Sequence, residues 1–125
     1  MAIPDYQTLM LPVLKQTSHK EATATEVSEC ISKELNLSEE EKELKIPSGS
    51  ETVLKNRVGW SLTYLLKAGL VNRPSRGKFV ISDSGKHVLK QNPTRIDNKF
   101  LSKFDTFNNF IKGPQKSKNE KEESD

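Results

Sequence analysis

At 125 residues, with 33% hydrophobic and 30% charged side chains, the chain has room for one domain with a modest core and a flexible end. No apolar run approaches the roughly 18 to 20 residues that cross a bilayer, the start has no basic-then-apolar signal pattern, and a lone cysteine, Cys30, excludes an internal disulfide and a cysteine-built zinc site. A cytoplasmic, reducing compartment is therefore expected. The net charge of +3 is unevenly spread: residues 1–45 hold five Lys/Arg against nine Asp/Glu, residues 46–112 twelve against four, and residues 113–125 three against four. Such segregation is the footprint of a polyanion binder, with an ordinary solvated surface as its competitor.

In chain order, residues 4–16 read as a helix. Tyr6, Leu9, Met10, Val13 and Leu14 form one apolar stripe, Pro4 and Asp5 suit a first turn, and Pro12 is expected to kink or shorten it. Residues 23–35 give a second helix, with Thr23 and Glu26 at capping-box spacing and Cys30 read as a small buried hydrophobe beside the stripe of Ala24, Val27, Ile31 and Leu35. After Asn36, Ser38 and Glu41 open a short acidic turn, from which Leu44 and Ile46 close toward the core. The loop Pro47-Ser48-Gly49-Ser50 leads to a third and longest helix, capped by Ser48 with Glu51 three residues on, running to about Ala68 and stopped by Gly69. Its core face carries Leu54, Val58, Ser61, Leu62, Leu65 and Leu66; the opposite face carries Thr52, Asn56, Trp60, Thr63 and Lys67, flanked by Arg57 and Tyr64.

The period then changes. Residues 70–73 and 78–81 are β-prone runs around Pro74-Ser75-Arg76-Gly77, a hairpin with a basic tip. Ser82 or Asp83 caps a fourth helix that ends near Gln91, with Val88 and Leu89 inward, and Asn92-Pro93 stops it. Ile96, Phe100, Leu101, Phe104, Phe107, Phe110 and Ile111 form a further amphipathic stretch, after which residues 115–125 contain no apolar side chain. The expected organisation is a domain over 1–92, a helical extension over 93–112 and a disordered charged tail or linker over 113–125.

Three helices, a hairpin and further helices make an α+β, mainly α, winged helix-turn-helix. In that architecture the third helix enters the major groove, the second braces it, and the hairpin is the wing. Affinity comes mostly from phosphates and specificity from a few side chains at base edges. On the recognition helix, Asn56 suits adenine and Arg57 suits guanine or a phosphate. Ser48, Ser50 and Thr52 at its N-terminus suit phosphate oxygens, with Lys55 and Thr63 on the same stretch. The wing offers Arg73, Ser75, Arg76 and Lys78 beside Gly77. Each assignment has a duller competitor: an Arg57 ion pair with Glu51 or Asp83, Trp60 and Tyr64 packed on the first helix rather than on a base, and Asn56 merely solvated. His19 and His87 lie far apart in sequence, and neither is expected to bind metal or catalyse; Lys86 and Lys90 add to the local field.

The run Lys55-Asn56-Arg57-Val58-Gly59-Trp60-Ser61-Leu62-Thr63-Tyr64-Leu65-Leu66-Lys67-Ala68-Gly69-Leu70 resembles the N-terminal domain of the Mrr family of restriction proteins. Pro47-Ser48-Gly49, Arg76-Gly77-Lys78-Phe79, Ser82 to Gly85 and the opening Pro4-Asp5-Tyr6 through Leu14 fit as well, so the likeness covers roughly residues 3–101. It implies a modification-dependent (type IV) restriction endonuclease, in which a winged helix binds DNA, often methylated, and a following nuclease domain cuts it. That domain would use paired acidic residues and a Gln-x-Lys or Glu-x-Lys strand with Mg2+. In this chain Gln115-Lys116 and Glu120-Lys121 stand in the polar tail, so no catalytic residue, metal ligand or cofactor is assigned to it, and the 96–111 segment would join the two domains or form a homodimer contact. The competing functions are a stand-alone transcription regulator, which the same fold serves, and a protein–protein interaction domain.

Overall fold

The computed structural model describes residues 3–112, with the side chains of Ile111 and Lys112 excepted. The expected tail over 113–125 and its two lysine motifs lie outside the described residues. The chain is α+β and mainly helical, and its elements follow from local signals. Helix α1 (Tyr6–Thr17) starts where the Asp5 carboxylate accepts from the Thr8 N–H at 2.8 Å, so Asp5 is the cap rather than a first-turn residue. The donating Thr8 N–H, helped by the Thr8 hydroxyl, holds that carboxyl below the usual range. The helix runs on through Pro12 to Thr17, so the proline does not shorten it. A proline lacks only the one N–H that would have met the Thr8 carbonyl, and burial of Leu9, Met10, Val13 and Leu14 on one stripe outweighs that loss.

Strand β1 (Ala22–Thr23) leads into α2 (Ala24–Glu34), capped by the expected Thr23–Glu26 box. Cys30 corrects the sequence reading: it is exposed. Val27 and Ile31 are buried together with Ser28 and Ser32, so the contact seam runs down the serine side of the helix. Each serine returns its hydroxyl to a helix carbonyl, Ser28 to Ala24 and Ser32 to Glu29, both at 2.8 Å. Helix α3 (Glu39–Glu43) has the Ser38–Glu41 box. The following Leu44 does not close on the core but is 54% exposed, and Ile46 is half-buried. A bridge between Lys45 and Thr52 pinches off the intervening loop and turns that stretch outward.

The same pinch moves the start of α4 (Val53–Lys67). Its cap is Thr52, which accepts from the Lys55 N–H at 3.1 Å, and not Ser48, which stays in the exposed loop. Gly69, at φ 81°, ends the element in the left-handed region as expected. Strands β2 (Val71–Ser75) and β3 (Lys78–Ile81) form the hairpin, and the connection is only Arg76-Gly77 because β2 reaches Ser75. Pro74, which has no N–H to give, falls in the irregular step between the Asn72–Val80 and Ser75–Lys78 pairs. Strand β1 adds to β3 through Ala22–Phe79 and Thr23–Lys78, giving an antiparallel sheet in the order β1-β3-β2. Ser82 caps α5 (Asp83–Lys90) and also donates to the Gly69 carbonyl at 2.6 Å.

The Phe-rich stretch divides into α6 (Asn98–Leu101) and α7 (Asp105–Lys112). Asp97 caps α6, while Asn98 ties it to α1 through the Tyr6 hydroxyl at 2.8 Å and the Gln7 side-chain oxygen at 2.9 Å. Ile96, Leu101 and Phe107 are buried in one cluster with Leu9, Ile31, Val58, Leu62 and Leu65. The core thus lies between α1, α2 and α4, with 96–107 closing one side. No described helix is long and apolar enough to cross a membrane.

Candidate nucleic-acid interface

Helix α4 packs mainly on α1 and α2 and leaves its other side open toward the hairpin. Along that open side lie two adjoining hollows. The first, of about 460 Å³, is lined by Ala24, Glu51, Lys55, Asn56, Gly59, Trp60 and Thr63. The second, of about 810 Å³, runs past Thr63, Leu66 and Lys67 to Arg73, Arg76, Gly77 and Phe79. They share Ala24, Gly59 and Thr63, so helix and hairpin bound one groove. Spacing alone places Lys55, Asn56, Gly59, Trp60 and Thr63 on one side of α4. The short Arg76-Gly77 connection brings the hairpin cations to the groove's far end, and Gly77 takes φ 77° there.

Of the residues singled out in the sequence, the groove gathers Lys55, Asn56, Trp60, Thr63, Arg73 and Arg76. Trp60 is 39% exposed and meets Tyr64 edge-on at 6.2 Å. Tyr64 itself is partly buried against the core, with Tyr6 at 5.1 Å, Phe107 at 5.7 Å and Phe110 at 5.8 Å. Burial, with Tyr6 adjacent, pushes its phenol up. The two aromatics therefore part ways: Tyr64 packs on α1 and α7, and Trp60 borders the groove.

Other candidates stand outside the groove. Ser48 and Ser50 sit in the exposed loop with their hydroxyls 2.9 Å apart, and Thr52 uses its hydroxyl as the α4 cap. Ser75 and Lys78 are exposed at either side of the hairpin turn. Lys78 lies toward Glu26, whose carboxyl is held low first by the Thr23 N–H and further by Lys20 and Lys78. Arg57 points away: its guanidinium donates to the carbonyls of Ile3 at 2.7 Å and Pro4 at 3.3 Å, pinning the N-terminal segment onto α4. The competing ion pair with Glu51 or Asp83 does not form here; Glu51 instead accepts from the Asn56 amide at 2.8 Å.

Three residues of the first hollow carry no binding assignment from the sequence. Glu51 reads in the sequence as part of a helix start and as a competing partner for Arg57. Ala24 was read only as part of the α2 stripe. Gly59 did carry a signal, because glycine inside a helix costs up to about 1 kcal/mol relative to alanine and here answers no packing need: a Cβ at that position would meet nothing within 4 Å. Among the described residues, no His, Cys, Asp and Glu side chains gather into a group that could hold a metal ion.

A small α+β domain with a groove between one helix and a cationic hairpin is the class that this geometry defines. The chain matches the Mrr N-terminal domain over residues 6–91 and belongs to that family. It is also 34% identical over 95 residues to the type IV methyl-directed restriction enzyme EcoKMrr of Escherichia coli (strain K12). The shared stretch is 74% of this chain and 31% of that protein, so the chain spans about a third of the length of the relative it matches. No solved structure matches the chain.

Proposed function

We propose that the chain is a winged-helix module that binds double-stranded DNA and serves as the DNA-recognition part of a modification-dependent restriction enzyme. The observation that carries this reading is the single groove that unites Lys55, Asn56, Trp60 and Thr63 of α4 with Arg73 and Arg76 of the hairpin. In it, α4 lies in the major groove, with Asn56 at base edges and Lys55 at a flanking phosphate. Ser48 and Ser50 stand in the loop just before the helix, near the phosphate of the next nucleotide. The wing follows the strand through Arg76, with Arg73, Ser75 and Lys78 adding contacts, and Gly77 allows the backbone to come close. Residues 1–92 form this binding unit, and 93–112 brace it from behind. Contact between two copies through 96–111 would fall to Phe100, Phe104 and Phe110, since Ile96, Leu101 and Phe107 are buried within the chain. Cleavage, with its Mg2+, belongs to a separate nuclease domain of a longer parent protein. The methyl-directed character of the E. coli relative supports a preference for modified duplex.

The test is fluorescence anisotropy of labelled duplexes, methylated and unmethylated, across a salt series. Salt-sensitive binding, tighter on methylated DNA, is expected, and Arg76→Ala should reduce the slope of log affinity against log salt by about one. Binding without that preference would remove the modification-reading element and leave the restriction and regulator readings both standing. No binding at low salt would remove the DNA reading and move the groove to a protein partner.

A further inference from the structure

Glu51 is out of place in a groove meant for a polyanion. It lines the first hollow beside Lys55, and it could have been any neutral residue if only helix capping were at stake, since Thr52 already caps α4. Its carboxylate instead takes one N–H of Asn56 at 2.8 Å. That bond fixes which way the amide faces, because a carboxylate only accepts. The pair then has left the Asn56 Oδ1, the second Asn56 N–H and Glu51 Oε1, two acceptors to one donor. Gly59, on the same hollow and with open space where a Cβ would stand, leaves clearance beside them, and Trp60 forms the adjacent wall.

In the major groove, adenine N6 and cytosine N4 donate, whereas guanine O6 and N7 and thymine O4 accept. We propose that Glu51 and Asn56 act as one reading unit that requires the exocyclic amine of adenine or cytosine and rejects the carbonyl edge of guanine or thymine. Adenine fits through the free edge of the Asn56 amide, with Oδ1 accepting from N6 and the remaining N–H donating to N7. Cytosine fits by giving its N4–H to the Glu51 carboxylate. In the same two poses guanine would set its O6 against Asn56 Oδ1 and thymine its O4 against the Glu51 carboxylate, acceptor to acceptor with no proton between them. Arg57, the side chain best suited to guanine, is occupied at the Ile3 carbonyl and does not oppose this preference. The inference rests on the DNA-binding reading above.

The test begins with selection from a pool of randomised duplexes by the 125-residue chain. In the selected duplex, purine replaces adenine, or pyrimidin-2-one replaces cytosine, one position at a time, which deletes the amine alone and leaves the protein untouched. A loss of about tenfold at one position is expected, and the arm that responds identifies the base. Glu51→Gln keeps an oxygen for Asn56 and adds a donor, so it should accept guanine or thymine there while its salt slope stays that of the wild type. Unchanged affinity on every amine deletion, or a Glu51→Gln selection identical to the wild type, overturns the reading unit while DNA binding stands. A wild type that retains no duplex from the pool at low salt overturns DNA binding itself, and the unit with it.

Discussion

The two faces of α4 make opposite use of the same fifteen-residue helix. On the inner face, Leu54, Val58, Leu62 and Leu65 are buried, and the buried Ser61 donates its hydroxyl to the Tyr6 carbonyl of α1 at 2.6 Å. Every group there has found its partner within the chain. On the outer face stand a lysine, a carboxylate–amide pair with bonding capacity left over, a glycine beside open space and a tryptophan 39% exposed. Apolar periodicity separates the faces, but only the second set of residues is hard to explain without something outside the chain. A face that is merely solvated has no reason to keep a helix-weakening glycine and a large aromatic side by side.

If this division is right, substitutions on the two faces should separate stability from binding. Leu65→Ala is the largest expected effect. The side chain is fully buried between α4 and its neighbours, and its loss leaves a cavity, which should cost about 2 to 5 kcal/mol in urea unfolding. Affinity per folded molecule should hold at temperatures where the variant remains folded. A loss of affinity beyond the unfolded fraction would mean that the groove depends on core packing more closely than the two faces suggest.

Arg57 sharpens the comparison because it sits at the boundary between the faces. It is cationic, near the start of the helix, and by sequence a natural reader of guanine; in the fold it holds the Ile3 and Pro4 carbonyls. Arg57→Ala should lower stability by about 1.5 to 3 kcal/mol through loss of a charge-assisted bond to the carbonyl of the buried Ile3, with the salt slope of duplex binding unchanged. The reverse outcome, intact stability and a slope reduced by about one, would show that the guanidinium leaves those carbonyls for a phosphate and belongs to the outer face.

Arg57 also shows where sequence reasoning stops. Signals that act within a few residues were legible: both capping boxes, the Gly69 stop and the hairpin with its cationic tip. What failed depended on remote neighbours. Strand β1 is two residues long and exists only because β3 lies beside it, so it has no period of its own. Cys30, a small hydrophobe beside the α2 stripe, and Leu44, just after the acidic turn, are both expected inward, but α2 turns its serine side to the core and the Lys45–Thr52 bridge turns Leu44 out. The Arg57 contact spans 54 residues of sequence. In the groove, the hairpin cations and the α4 polar face were legible as separate pieces. Their meeting across Gly59, and the commitment of Glu51 to Asn56, required the packed structure.

Gly59 gives the smallest expected effect and the most discriminating one, because its sign differs between the two measurements. Alanine there adds a methyl group that touches nothing within 4 Å and removes the backbone freedom of glycine from the unfolded chain. Gly59→Ala should therefore raise stability by about 0.5 to 1 kcal/mol. The same methyl stands in the groove between Asn56 and Thr63, where a base edge or sugar needs the space, so duplex affinity should fall. Most substitutions that weaken binding also weaken the fold, and the two losses are then difficult to separate. A variant that melts higher and binds worse has no such ambiguity. One that melts higher and binds as well as the wild type would place the ligand elsewhere, and the outer face of α4 would be solvent surface after all.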